Sequence, residues 1–405
     1  MLLCPKVACA LCSVLAFSGC SLPPDPIAPD GSSTMDSGGG GSDGTEDGGS
    51  GGTDGGNSGM RIIPPDVLSR KALAYSGYRA GQSPETGVYP SEAQIKEDLQ
   101  LLIRGGWTFL RLFDCSPHLT RVIKVIQDNS FDIKLLAGVN LFGPKAQHDA
   151  ENRAEIERCV PIFTGAPDVI VAVSVGNETL DDWSNIRMPI PDVLAYIQEV
   201  RSRIPQPVTT NDMAPPFTFG MDGNTSYADV VQIVAVLDFL NIHVYPFLDA
   251  PYDSWDWKQT SVPAGHARAV AMMRAAFEYT RSSIEDVRQA TASRGFHLPI
   301  LLGETGWKSR RAGSDPTERF MAHPVNEKMY YDAIQSWVYG ANRTEESPLA
   351  AFYFEGFDEP WKAEDDGWGL FDTNRKAQYV LWAQFPDLKP PGAPNYTEND
   401  AVYYH

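Results

Sequence analysis

Positive charge is scarce in this chain: 33 lysines and arginines face 52 aspartates and glutamates, a formal charge of −19 over 405 residues. Such a field repels phosphate backbones and anionic polymers, so nucleic acid is not expected as a partner and a neutral one is. Cysteine is also sparse. Four of the six cysteines stand at or before Cys20, leaving only Cys115 and Cys159 beyond it. Two thiols are too few for a metal cluster, no calcium-loop spacing occurs, and neither metal nor any other cofactor is expected. Whether the two cysteines pair turns on a distance that a sequence does not contain. Nor does any Gly-x-Gly-x-x-Gly follow the first predicted strand, which weakens the dinucleotide-binding form of an open doubly wound sheet.

The chain opens with an apolar run, Val7 to Phe17, too short to cross a bilayer as a mature helix. It ends Ala16-Phe17-Ser18-Gly19-Cys20, which resembles a bacterial lipobox with Phe17 in place of the usual leucine. Residues 1–19 are therefore expected to be a lipoprotein signal peptide and Cys20 the lipidated residue; an ordinary secretory signal with an incidental cysteine is the alternative. Residues 20–60 run Pro-rich, then Gly/Ser/Asp-rich, with almost nothing apolar to bury, and are expected to stay disordered as a flexible linker. A linker behind an acylated cysteine would tether a folded domain to the bacterial cell envelope, the lipid being its only membrane contact; a merely tolerated spacer is the plainer reading.

From residue 61 to 405, short apolar runs alternate with longer amphipathic stretches, the pattern of successive β-α units around a parallel sheet. Eight strands are predicted: Ala72–Ser76, Phe109–Phe113, Ile133–Val139, Ile170–Val175, Pro207–Thr210, Phe239–Val244, Ile300–Leu302 and Ala350–Phe354. Between them the spacing predicts helices such as Glu92–Arg104, Tyr227–Leu237 and Ala267–Arg294. That number and size of units suit an α/β chain folded as a (β/α)8 TIM barrel, here expected as a monomer.

Residues just past the ends of barrel strands converge on one face. Polar and aromatic residues recur there: Tyr75 and Tyr78, Asp114, Asn140, Asn177 and Glu178, Asn211 and Asp212, Tyr245, Glu304, then Glu355, Asp358 and Glu359. Val173-Ser-Val-Gly-Asn-Glu178 and Leu301-Leu-Gly-Glu-Thr-Gly-Trp307 each carry an apolar strand straight into a carboxylate. Retaining glycoside cleavage needs two carboxyl groups about 5 to 5.5 Å apart, one attacking the anomeric carbon and one protonating the leaving oxygen. Long glutamates on opposite arcs of a small barrel can meet that spacing. A buried, paired carboxylate is the plain reading of either glutamate alone.

The Gly-Asn-Glu and Gly-Glu-Thr-Gly-Trp segments resemble those of glycoside hydrolase family 17, the β-1,3-glucanases. Arg111-Leu-Phe-Asp114, Asn241-Ile-His-Val-Tyr-Pro246, Tyr353-Phe-Glu-Gly-Phe-Asp-Glu-Pro-Trp-Lys362 and Trp368-Gly-Leu-Phe371 extend the likeness. The resemblance implies Glu178 as acid/base, Glu304 as nucleophile, Asn177 as partner of the sugar 2-hydroxyl, and Tyr245 orienting the nucleophile. Glu355 and Lys362 look like a polar pair at the rim of the site; a salt bridge bracing the loop is the other reading. Trp307, Phe357, Trp361 and Trp368, with Tyr78 and Trp183 behind them, are candidates to stack on pyranose faces or else to pack helix against barrel. Asp114 is read as a substrate contact or, like Arg111, a brace of the site, and His243 as a core histidine hydrogen-bonded near the active carboxylates, with a metal ligand or general base as the alternative. The implied activity is retaining hydrolysis of β-1,3-glucan, laminarin-type polymer or its oligosaccharides. The alternatives are a β-1,3-glucanosyltransferase on the same scaffold or a non-catalytic glucan-binding surface lipoprotein. The loop from Phe247 to Pro263, with Trp255 and Trp257, is expected to block or extend the cleft.

Overall fold

A computed structural model describes residues 59–220 and 225–401; the expected leader, Cys20 and most of the linker lie outside them. Eight parallel strands close into a barrel in chain order. They are β1 Lys71–Ala74, β2 Trp107–Leu112, β3 Lys134–Val139, β4 Ile170–Asn177, β5 Val208–Met213, β6 Leu240–His243, β7 Ile300–Thr305 and β8 Ala351–Tyr353. All eight coincide with predicted apolar runs, because a strand covered by helices outside and side chains inside must be apolar on both faces.

The barrel is a filled core. Phe109, Leu136, Phe239, Leu301 and Phe352 pack across its strand-start end, and Ile63 and Val67 close that end from below. The short helix Pro65–Leu68 carries Val67 into this plug. Arg61 secures the approach, its guanidinium donating to the carbonyls of Ile204 and Gln206 just ahead of β5. The polypeptide thus enters the barrel on the side away from the strand ends.

Local signals set the outer helices. The helix Glu92–Gly105 begins with Ser91 and Gln94 in a reciprocal cap and stops at Gly106 in the left-handed region. The expected helix Tyr227–Leu237 is a correction: a 3-10 stretch, Thr225–Val230, runs into one α-turn, Val231–Val234. Its β-branched residues Val230, Val231, Ile233 and Val234 are poor helix formers, and burial of Val230, Ile233 and Val234 is met without a longer helix. Cys115 and Cys159 form a disulfide that ties the loop after β2 to the helix Lys145–Gly165.

Candidate active site

Alternation along the strands decides which polar side chains climb the barrel interior. On β6, Phe239 lies in the bottom layer, and Asn241, His243 and Tyr245 follow at intervals of two, all buried. On β2, Arg111 stands one step above Phe109 and is likewise buried. Pairing loses its regular register between Ser174 and Asn177 on β4 and between Ile242 and His243 on β6, so His243 aligns with Glu304. Such irregularities re-aim side chains at a barrel rim.

The glycine before each motif has a definite use. Gly176 takes φ +83°, and Glu178 itself takes φ +53°, a backbone region that non-glycine residues rarely occupy. Its N–H donates to the carbonyl of Asn211 at 2.7 Å. A Cβ on Gly303 would come within 2.7 Å of the Asn241 side chain, so only glycine lets β7 lie this close to β6 before Glu304.

Glu178, His243 and Glu304 meet at the mouth. One oxygen of each carboxylate and one ring nitrogen of His243 lie within 4.8 Å of one another. His243 Nδ1 is 3.0 Å from Glu178 Oε1, and its Nε2 is 3.8 Å from Glu304 Oε1. Arg111 bonds both Glu304 Oε1 and Asn177 Oδ1, and Tyr245 donates to Glu304 Oε2 at 2.7 Å. Three such donors could in principle hold a cation, but the Arg111 charge already sits on Glu304 and opposes one.

The two glutamates are driven apart in acidity. Burial, then the Glu304 charge, pushes Glu178 well above the ordinary carboxylate range. Burial also disfavours charge on Glu304, yet His243, Arg111 and Tyr245 together hold it down to about 2. Of these, Arg111 and Tyr245 act at neutral pH, because burial lowers His243 to about 4 and leaves its ring uncharged there. One carboxyl holds a proton while the other is ionised, the pairing that acid and nucleophile require.

The cleft above them is lined by Tyr78, Asp114, Asn177, Glu178, Glu304, Trp361 and Lys362, all predicted site residues. Tyr245 lies beneath the cleft floor and reaches substrate space only through Glu304. Glu355 is buried under the rim, its carboxylate 3.1 Å from Lys362 Nζ, which also contacts Glu359 at 2.6 Å. Glu359, not Glu355, lines the cleft. Its spacing three residues before Lys362 is the signal that could have singled it out.

Three aromatic assignments need correction. Trp307 is buried and donates to the Met321 carbonyl, its ring against Phe247 and Tyr330. Trp368 is buried against Tyr245 and Phe247, and Phe357 stacks on Phe371. None of the three lines the cleft, because each sits where the loops after β7 and β8 pack onto the barrel wall. Trp255 and Trp257 are buried too, their indoles bonded to the Pro246 carbonyl and to Asp253 within their own loop. Trp183 is 40% exposed on the loop after β4. Sequence reasoning passed over His118, which lines the cleft with Tyr78 at 5.4 Å between ring centres; burial lowers its pKa to about 3.

Comparison with known proteins bears on the fold and the family. The chain is 22% identical over 345 residues to a glucan 1,3-beta-glucosidase of Arthroderma benhamiae, covering 79% of this chain and 93% of the relative. It is 25% identical over 330 residues to a probable glucan endo-1,3-beta-glucosidase btgC of Aspergillus clavatus; the match covers 74% of this chain but only 40% of that longer protein. Among solved structures it resembles an endo-laminarinase from Formosa, with a TM-score of 0.70 and 25% identity across 84% of this chain and 94% of that one. A Rhizomucor miehei beta-1,3-glucanosyltransferase, solved with laminaritriose, shares the fold at a TM-score of 0.55 and 18% identity, over 78% of this chain and 97% of its own. Residues 72–370 match the model of the BtgE/BtgC glycoside hydrolase domain, and the chain belongs to that family.

Proposed function

We propose that this chain hydrolyses β-1,3-glucan with retention of anomeric configuration. The observation that carries the reading is the close approach of Glu178 and Glu304, within 4.8 Å, with the proton held on the first and the charge on the second. Separations near 5 to 5.5 Å, roughly, leave no room for a water behind the sugar and favour a covalent route.

In that route Glu304 attacks the anomeric carbon as the bond to the leaving oxygen breaks, and the Glu178 proton passes to that oxygen. The ester then removes the negative charge beside Glu178, whose carboxylate takes a proton from water as the water oxygen attacks the same carbon and releases Glu304. Asn177, held by Arg111 and lining the cleft, is placed to bond the sugar's 2-hydroxyl. Trp361 and Tyr78, with ring centres 6.2 Å apart, offer apolar faces to pyranose rings. The substrate class is supported by the names of the relatives and of the Formosa structure.

Proton NMR of laminari-oligosaccharide digestion tests the mechanism: the first reducing ends should be the β anomer, and α ends would mean inversion. Glu304→Ala should abolish reducing-sugar release from laminarin; equal release from variant and wild type would remove the catalytic assignment. Placement on the bacterial envelope through Cys20 is part of the proposal, supported by the lipobox-like Ala16-Phe17-Ser18-Gly19-Cys20 segment alone. Cys20→Ser should then free the enzyme from the membrane fraction.

A further inference from the structure

Beyond the last regular pairing of β4 with β5, the two strand ends are still joined, first by a backbone bond and then by side chains. The Glu178 N–H donates to the Asn211 carbonyl at 2.7 Å. Two residues on, the Leu180 N–H donates to Oδ1 of Asp212 at 2.8 Å. In return the Met213 N–H donates to Oδ2 of Asp181 at 3.2 Å. Each carboxylate therefore binds the amide next to the other carboxylate, and Thr210 Oγ1 fixes the second oxygen of Asp212 at 3.0 Å. Both aspartates are buried. Among the described residues neither makes an ion pair with lysine or arginine, so a neutralising side chain of that kind does not explain them.

We propose that Asp181 and Asp212 form a reciprocal clasp that positions Glu178 for proton transfer to the leaving group. The inference rests on the reading of Glu178 as the acid. Glu178 stands at φ +53°, a conformation that needs its surroundings to hold it. A strand end simply released from pairing would let that residue relax toward ordinary backbone angles and swing its carboxyl off the leaving oxygen. Here the clasp continues the β4·β5 connection for two further rungs and fixes the segment on the C-terminal side of Glu178. Burial, mutual repulsion and the nearby Glu178 hold Asp181 well above the usual carboxylate range, and burial places Asp212 at about 7 despite its donors. A pair that keeps a proton can sit next to Glu178 without an uncompensated double charge. Neither aspartate lines the cleft, so both are positioning residues.

The test separates positioning of the acid from general damage by changing how much the reaction needs an acid. Cleavage of a laminari-oligosaccharide requires a proton on the departing sugar, whereas 2,4-dinitrophenyl β-laminaribioside loses a stable phenolate unaided. Asp212→Ala should lower kcat/KM on the oligosaccharide by ~100-fold while the first-turnover burst of dinitrophenolate changes less than ~3-fold, the span expected of lost general-acid help. Asp212→Asn keeps an oxygen for the Leu180 amide and should restore most of the loss. Equal effects on both substrates, no effect on either, or an Asn variant as impaired as the Ala variant overturns the clasp. Should Asp212→Ala not fold, Asp181→Ala, which frees only the Met213 amide, carries the same comparison. Glu178→Gln run alongside keeps the two claims apart: if it shows no selective loss, the acid assignment itself fails; if it does and the aspartate variants do not, only the clasp fails.

Discussion

The Tyr245 hydroxyl donates to Oε2 of Glu304 at 2.7 Å, while Arg111 occupies the other oxygen of the same carboxylate. Each donor favours the ionised form, so Glu304 keeps its charge although it is buried. Tyr245→Phe removes one donor and leaves the ring packed on Trp368. A hydrogen bond to a charged group contributes about 1.5 to 3 kcal/mol, equivalent to roughly one to two pH units. In the proposed mechanism Glu304 attacks in its ionised form, so activity is expected to be lost as pH falls through its pKa. Raising that pKa should move the acidic limb of kcat/KM upward by that amount, with the alkaline limb, set by the Glu178 proton, moving less. An unchanged acidic limb in a pH-rate profile would show that Tyr245 does not tune the nucleophile.

Trp361 and Trp368 stand seven residues apart and should respond oppositely to substitution. Trp361 lines the cleft, its ring edge toward Tyr78, whereas Trp368 is fully buried among Tyr245, Phe247 and Phe354. Trp361→Ala is expected to raise KM for laminari-oligosaccharides roughly 10-fold through loss of a sugar-stacking face, with Tm nearly unchanged. Trp368→Ala should instead cost about 3 to 5 kcal/mol of stability through the cavity left behind. Denaturant midpoints and KM values for the two variants decide it.

That contrast marks where the sequence was informative. Alternating apolar runs located all eight strands, and a carboxylate closing an apolar run marked Glu178 and Glu304 as neighbours at the mouth, because strand ends in a barrel converge whatever the loops do. The aromatics after β7 and β8 were not legible in the same way. An indole that stacks on sugar and one that wedges a loop against the barrel have the same composition and spacing, and only the path of the loop separates Trp361 from Trp307 and Trp368. His243 could be placed near the carboxylates by its position within the Asn241-Ile-His-Val-Tyr-Pro246 motif, but its lying between the two glutamates depends on the register shift at Ile242. The Asp181 and Asp212 clasp is a tertiary fact, since its partners lie 32 residues apart in both bonds.

The Cys115–Cys159 disulfide joins residues 44 apart and carries the segment holding Asp114, which lines the cleft. Loop-closure entropy for a span of that length amounts to about 4 kcal/mol at 25 °C. Cys115→Ser with Cys159→Ser should lower the unfolding free energy by about that much, read as a drop in the urea midpoint. Wild type with reductant under unfolding conditions should approach the variant. Identical midpoints with and without reductant would mean the bond adds nothing.

Glu327 gives a pH dependence of stability independent of catalysis. It lies on the helix Pro324–Tyr339, fully buried, with no hydrogen-bond partner among the described residues for either carboxyl oxygen. Burial first, then the Asp358 charge, raises its pKa well above 4.5. The folded chain therefore keeps a proton that the unfolded chain gives up near pH 4.3, roughly the free-glutamate value. Its contribution to stability is full below that pH and is lost progressively as pH rises toward the folded pKa. Glu327→Gln has no proton to lose. Between pH 5 and 8 the variant should gain on wild type by up to about 1.4 kcal/mol per pH unit, until the folded pKa is passed. Urea unfolding of both proteins at several pH values measures the difference directly, and a gap that does not change with pH would mean that Glu327 is already ionised in the folded barrel.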